Sequence, residues 1–125
     1  EEVGEASGLP VANLFHAGDG NIHPHFSYDG RDPAQCATVE IACTKILRRC
    51  LDLDGSISGE HGVGLEKQHL MAEQFGAEEL RLMQELRDGF NPDALLNPGK
   101  GMPMKRGCAE AFRRHRHLAD EEDFV

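Results

Sequence analysis

Two stretches of this chain set imidazole and carboxylate side chains among glycines. They are His16-Ala17-Gly18-Asp19-Gly20-Asn21-Ile22-His23-Pro24 and Ser58-Gly59-Glu60-His61-Gly62-Val63-Gly64. Two imidazoles and a carboxylate, with a further imidazole beside them, are enough for an open divalent-metal site with a base at hand. If the two stretches meet in space, the chain carries half of an active site. If they stay apart, what remains is an acidic domain with little unusual chemistry.

The first stretch suggests a hairpin. Val11 to Phe15 is an apolar run rich in strand formers, and Ile22 to Tyr28 alternates apolar and polar residues. Asp19-Gly20 between them favours a tight turn with positive φ. A two-residue turn there pairs Gly18 with Asn21, Ala17 with Ile22 and His16 with His23. Directly opposed residues share a face with Cβ atoms roughly 4.5–5.5 Å apart, within reach of one metal ion. His25 falls on the face of His23 and is a spare candidate. Pro24 lacks a ladder donor, so its strand is expected at an edge or irregular. The competing reading of His16 and His23 is a polar pair on a solvated sheet face. His69, His115 and His117 lack such context and read as surface or tail residues.

In the second stretch, glycines at 59, 62 and 64 permit unusual backbone angles and close approach. A regular strand would aim Glu60 and His61 in opposite directions; an irregular glycine loop can present both to one cavity. The spacing fits neither a dinucleotide fingerprint nor a P-loop. The bland alternative is a shaped turn with Glu60 paired to a lysine or arginine.

The remaining elements must position these groups. Residues 1–10 read as a loop or a frayed helix end. Strands are expected from Val11 to about Ala17 and from Ile22 to Tyr28. Asp32 and Pro33 supply a cap and a first helical residue, opening a helix to about Leu53. Cys36, Cys43 and Cys50 recur along it every seven residues. With Val39, Ile46 and Leu47 they form a slowly drifting stripe, which reads as reduced cysteines packed as small hydrophobes. No C-x-x-C spacing supports a cluster site. Gly55 to Gly59 is expected to be a short extended piece. Helices are expected at Lys67–Gln74 and Ala77–Gly89, with a turn at Asn97-Pro98-Gly99-Lys100-Gly101. Residues 104–125 swing from basic to acidic and read as a loosely held tail.

Composition narrows the class. With 125 residues the chain is one domain at most. Its 22 acidic residues outnumber 13 basic ones, giving a formal charge of −9. That argues against a nucleic-acid partner. No apolar run approaches the roughly 20 residues of a membrane span, and the acidic opening Glu1-Glu2-Val3-Gly4-Glu5 does not read as a signal peptide. Four reduced cysteines fit a cytoplasmic protein. The abrupt start suggests a piece of something larger.

Three motifs together, H-A-G-D-G-N-I-H-P, G-S-I-S-G-E-H-G-V-G-L-E-K and F-N-P-D-A-L-L-N-P-G-K-G, resemble the C-terminal part of FAD-linked oxidoreductases of the vanillyl-alcohol-oxidase type. The likeness is greatest to glycolate oxidase flavoprotein subunits and to D-lactate and D-2-hydroxyglutarate dehydrogenases. It runs from about Val11 to Pro103. It implies an α+β fold: the C-terminal half of a ferredoxin-like cap domain, an antiparallel sheet with helices on one face. Residues 1–103 would be that cap portion and 104–125 the tail, with the FAD-binding domain and a substrate-carboxylate arginine outside this chain. It implies that His16, His23 and Glu60 bind a divalent metal, zinc or manganese, and that His61 is the catalytic base. It further implies that Asn21 contacts substrate and that Asn97 lies at the FAD side. The implied reaction is oxidation of a small 2-hydroxy acid to a 2-oxo acid with hydride passing to FAD. The isolated chain would be inactive, with the remainder of the flavoprotein or other subunits as partners, and unpaired strand edges would favour a homo-oligomer. Two other readings use the same ligands: a non-catalytic metal-binding module docking on a flavin-bearing subunit, and a small zinc hydrolase.

Overall fold

The computed structural model describes residues 2–103, and the proposed tail at 104–125 lies outside them. The fold is α+β, with two antiparallel strands and four α-helices among the described residues. The chain divides into two compact units, residues 1–61 and 62–125.

The first unit opens with α1 (Glu2–Ser7), followed by β1 (Val11–His16) and β2 (Asn21–Phe26). The strands pair antiparallel, from Val11 opposite Phe26 to His16 opposite Asn21. The expected two-residue turn is corrected: the connection is the four residues Ala17 to Gly20, and His16 faces Asn21 rather than His23. The physical reason is where the positive φ falls. Gly20 takes it, at +70°, while Asp19 does not. A primed two-residue turn at Asp19-Gly20 needs positive φ at both positions. Instead the Asp19 amide donates to the His16 carbonyl at 3.1 Å, and the loop widens.

The register is displaced by two residues, so every side chain keeps its expected face. One face carries Ala12, Leu14, His16, Asn21, His23 and His25. The other carries Val11, Asn13, Phe15, Ile22, Pro24 and Phe26.

After an exposed loop, α2 runs from Pro33 to Asp52. Asp32 caps it, accepting from the Ala34 amide at 2.9 Å and the Gln35 amide at 3.4 Å. Those bonds, with the Ala34 amide foremost, hold the Asp32 carboxyl below its ordinary value. The helix stops where Asp54 turns to a φ of 58° and the Gly55 amide reaches back to the Cys50 carbonyl at 2.8 Å. Cys36, Val39, Cys43, Ile46, Leu47 and Cys50 lie on its covered side, half-buried around the buried Ala42. None of the three cysteines is in a disulfide. Residues 55–59 lie outside helix and strand. Ile57 within them is nevertheless among the most buried side chains of the described residues, at 2% exposure.

The second unit holds a 3-10 turn (Gln68–Leu70), α3 (Met71–Gln74) and α4 (Ala77–Phe90). Leu70 and Met71 are its buried residues among those described. Glu79 caps α4 by accepting from the Gly76 amide at 2.7 Å. Beyond α4, Arg87 donates to the carbonyls of Leu96 at 3.1 Å and Asn97 at 2.6 Å, and also to that of Lys100. Asn91 brackets the same segment, exchanging bonds with the Leu96 backbone at 3.0 and 3.1 Å.

Among the described residues the buried apolar side chains are Ala42 and Ile57 in the first unit and Leu70 and Met71 in the second. Large apolar side chains stay exposed on both units, Leu14, Phe15 and Ile22 on the hairpin and Leu82, Leu86 and Phe90 along α4.

Candidate active site

The hairpin and the loop before residue 62 meet. His16 closes β1 and His23 lies inside β2, on the same face and one diagonal step apart. That step brings the rings to a 5.3 Å centroid distance, edge to face. Glu60 reaches over this face. Its Oε1 lies 3.4 Å from His16 Nε2 and 3.0 Å from His23 Nε2. His61 Nε2 lies 3.7 Å from the same oxygen, and its ring stacks on His23 at 5.0 Å. Three imidazoles therefore surround one carboxylate oxygen.

A fourth group reaches that oxygen. Asn21 Nδ2 donates to Glu60 Oε1 at 3.2 Å. Sequence reasoning assigned Asn21 to substrate; its observed bond is to the carboxylate. The approach depends on Gly59, where a Cβ would sit 2.7 Å from Asn21 Cγ and Nδ2, well inside van der Waals contact. The glycine next to the glutamate therefore leaves room for the amide that steadies it. The signal for this was present in the sequence as Gly59-Glu60, but only the fold shows which side chain fills the space.

Burial differs usefully across the group. His23 is the most enclosed at 20% side-chain exposure, while His16 and His61 are more than half exposed. The Ser58 hydroxyl, two residues before Glu60, is buried without a hydrogen-bond partner among the described residues. His25 shares the hairpin face but stands outside the cluster. Asn97 lies in the second unit, in the turn that Arg87 holds, with a φ of 46°.

The donor set fits a divalent cation. One ligand atom from each of His16, His23 and Glu60 lies within 4.8 Å of the others. Two neutral imidazoles and a carboxylate are the ligand types of open catalytic sites. A cavity of 950 Å³ is lined mainly by apolar side chains, Val3, Val11, Phe15, Ile22, Phe26 and Ile46 among them, and His16 and Asn21 also line it. It does not include His23 or Glu60.

Comparison with known proteins decides the family. Residues 1–101 match the family described as FAD linked oxidases, C-terminal domain. This chain is a member of that family. Among its relatives, glycolate oxidase subunit GlcD of Escherichia coli K12 is 47% identical over 109 residues, covering 87% of this chain and 22% of that protein. GlcD of Bacillus subtilis is 37% identical over 92 residues, 74% of this chain and 20% of the relative. The mitochondrial D-lactate dehydrogenase [cytochrome] of Kluyveromyces lactis is 35% identical over 100 residues, 80% of this chain and 17% of the relative. The chain thus spans about a fifth of the curated relatives' length. No helix among the described residues is long and apolar enough to cross a membrane.

Proposed function

We propose that this FAD-linked oxidase C-terminal domain provides the cation-binding and proton-accepting half of a site that oxidises a small 2-hydroxy acid, glycolate- or D-lactate-like, to the 2-oxo acid. The observation that carries this reading is the convergence of His16, His23, His61 and Asn21 on Glu60 Oε1. In this reading residues 1–103 form the C-terminal portion of a cap domain and residues 104–125 a tail, with the FAD-binding domain contributed from outside this chain.

His16, His23 and Glu60 would hold the cation, zinc or manganese. Bound there, it supplies a Lewis-acid position for the substrate's oxygen atoms, while FAD supplies the hydride acceptor. This chain's own residues do the rest. The enclosed His23 and the carboxylate of Glu60 fix the floor of the site. Asn21 orients Glu60. His61, exposed on one side and stacked on His23 on the other, is free to approach a substrate hydroxyl and take its proton at Nε2. A positioned base of this kind contributes about 10²–10⁴-fold to rate. Asn97 would face the flavin side.

The test is a zinc or manganese titration of the chain by calorimetry, with flavin reduction measured anaerobically in the FAD-loaded parent protein. Replacing His16, His23 or Glu60 with Ala should weaken cation binding by at least about tenfold. His61→Ala should keep the cation and lose most of the rate of flavin reduction. Unchanged affinity in His16→Ala, or an unchanged rate in His61→Ala, overturns the corresponding assignment.

A further inference from the structure

Asp-Gly occurs four times in this chain, at 19–20, 29–30, 54–55 and 88–89. Each dipeptide is open in principle to the same chemistry. The amide nitrogen of the glycine, unshielded by any Cβ, can attack the Cγ of its own aspartate. A C–N bond forms, the carboxyl C–OH bond breaks, and the hydroxyl leaves with the amide proton as water. The resulting succinimide takes water back at either carbonyl. One opening restores aspartate. The other leaves isoaspartate, with the side-chain carbon now in the main chain and the former main-chain carbonyl as a free carboxylate. No oxidant or cofactor enters. The reaction needs a glycine amide that no hydrogen bond holds and a carboxyl that can turn towards it and be protonated.

The fold withdraws that freedom at three of the four. At 29–30 the carboxylate is occupied. Asp29 Oδ1 accepts from the Arg31 amide at 2.9 Å and from Arg31 Nε at 3.0 Å, and Oδ2 accepts from Nη2 at 2.9 Å. The same Arg31 bonds hold this carboxyl below its ordinary value, which depletes its protonated form. At 54–55 the nitrogen is occupied, by the 2.8 Å bond from the Gly55 amide to the Cys50 carbonyl. At 88–89 both groups are. Gly89 lies inside α4, where its amide serves the helical ladder, and Asp88 Oδ1 accepts from Gln84 Nε2 at 2.7 Å.

At 19–20 neither group is held. Among the described residues the Asp19 carboxylate accepts no hydrogen bond and the Gly20 amide donates none. The 3.1 Å bond to the His16 carbonyl uses the amide of Asp19 itself, not the one that attacks.

We infer that Asp19-Gly20, in the connection between the strands of His16 and His23, is the site in this chain at which isoaspartate forms. This rests on the hydrogen bonding of the four dipeptides and is independent of the cation reading.

The test is incubation of the chain in warm neutral buffer, followed by digestion and electron-transfer fragmentation. That fragmentation tells isoaspartate from aspartate at each position, although mass is unchanged. A parallel sample is kept unfolded in guanidinium. In the folded chain isoaspartate at Asp19 should exceed that at each of Asp29, Asp54 and Asp88 by about two- to tenfold, the factor for opening one hydrogen bond. In guanidinium the four sites should converge. A folded chain in which Asp19 does not lead overturns the inference. So does a lead of the same size in guanidinium, which would assign it to neighbouring residues rather than to the fold.

Discussion

Replacing Gly59 with Ala probes how Glu60 is held. Gly59 does not need a positive φ, so alanine adds no backbone strain, only a methyl group. That methyl would lie 2.7 Å from Asn21 Cγ, where ordinary carbon contacts begin near 3.5 Å. The Asn21 side chain must rotate away, and its 3.2 Å bond to Glu60 Oε1 is lost. A hydrogen bond of this kind is worth about 0.5–1.5 kcal/mol net. Groups that orient a metal ligand cost about 10–100-fold in affinity when removed. With the Asn21–Glu60 bond solvent-exposed, the lower end applies: about tenfold weaker zinc binding, or about 1.4 kcal/mol. The assay is competition with a chromophoric chelator for the parent chain, Gly59→Ala, Asn21→Ala and the double variant. Both single variants should weaken binding by similar factors, and Gly59→Ala should cost nothing further once Asn21 is gone. If Gly59→Ala weakens binding as much in the Asn21→Ala background as in the parent, the glycine acts some other way. If it changes nothing alone, the amide does not steady the carboxylate.

Three further outcomes are expected. His25→Ala should leave zinc affinity within about twofold of the parent, because His25 shares the hairpin face but not the cluster; the same chelator competition checks it. The Asp32 carboxyl is held below its ordinary 3.8, so its contribution to stability is complete above that value and lost as pH falls through the lower, folded value; Asp32→Asn should flatten this part of the acid limb in thermal melts recorded against pH. Leu70→Ala removes a side chain with 0% exposure and should destabilise the second unit by about 2–5 kcal/mol, read as earlier loss of amide protection in residues 68–90 during hydrogen exchange.

The helices were legible because their signals are local. Asp32-Pro33 announces α2 by chemistry that acts within one turn, and the observed cap bonds to Ala34 and Gln35 are that chemistry. The hairpin was legible in its strands but not in its turn. Asp19-Gly20 suits a two-residue connection, yet a glycine at position 20 serves equally well at the end of a four-residue one, and local preference does not separate them. The face of each histidine survived because the displacement was even. The bond of Asn21 to Glu60 was hidden for a different reason: the two are 39 residues apart, and a non-local contact leaves no periodic trace. The burial of Ile57, at 2% exposure in a segment outside helix and strand, was equally silent in the sequence, because one apolar residue among small ones shows no period. The exposure of Leu82, Leu86 and Phe90 along α4 shows the same limit. Their spacing announces an apolar face and is silent about what would cover it.

The connection between β1 and β2 carries a consequence for length variation. His16 and His23 share a face when their numbers sum to the same parity as any cross-strand pair, and Val11 with Phe26 sets that parity. Trimming two residues from Ala17 to Gly20, or inserting two, slides the strands and leaves both imidazoles on the side of Glu60. A single inserted residue leaves both imidazoles in place only where the connection itself lengthens to five residues; where the connection keeps four residues and the strands slide instead, one imidazole passes to the opposite face. The unpaired connection therefore acts as a buffer for the ligand set, taking up length changes that within either strand would need a β-bulge.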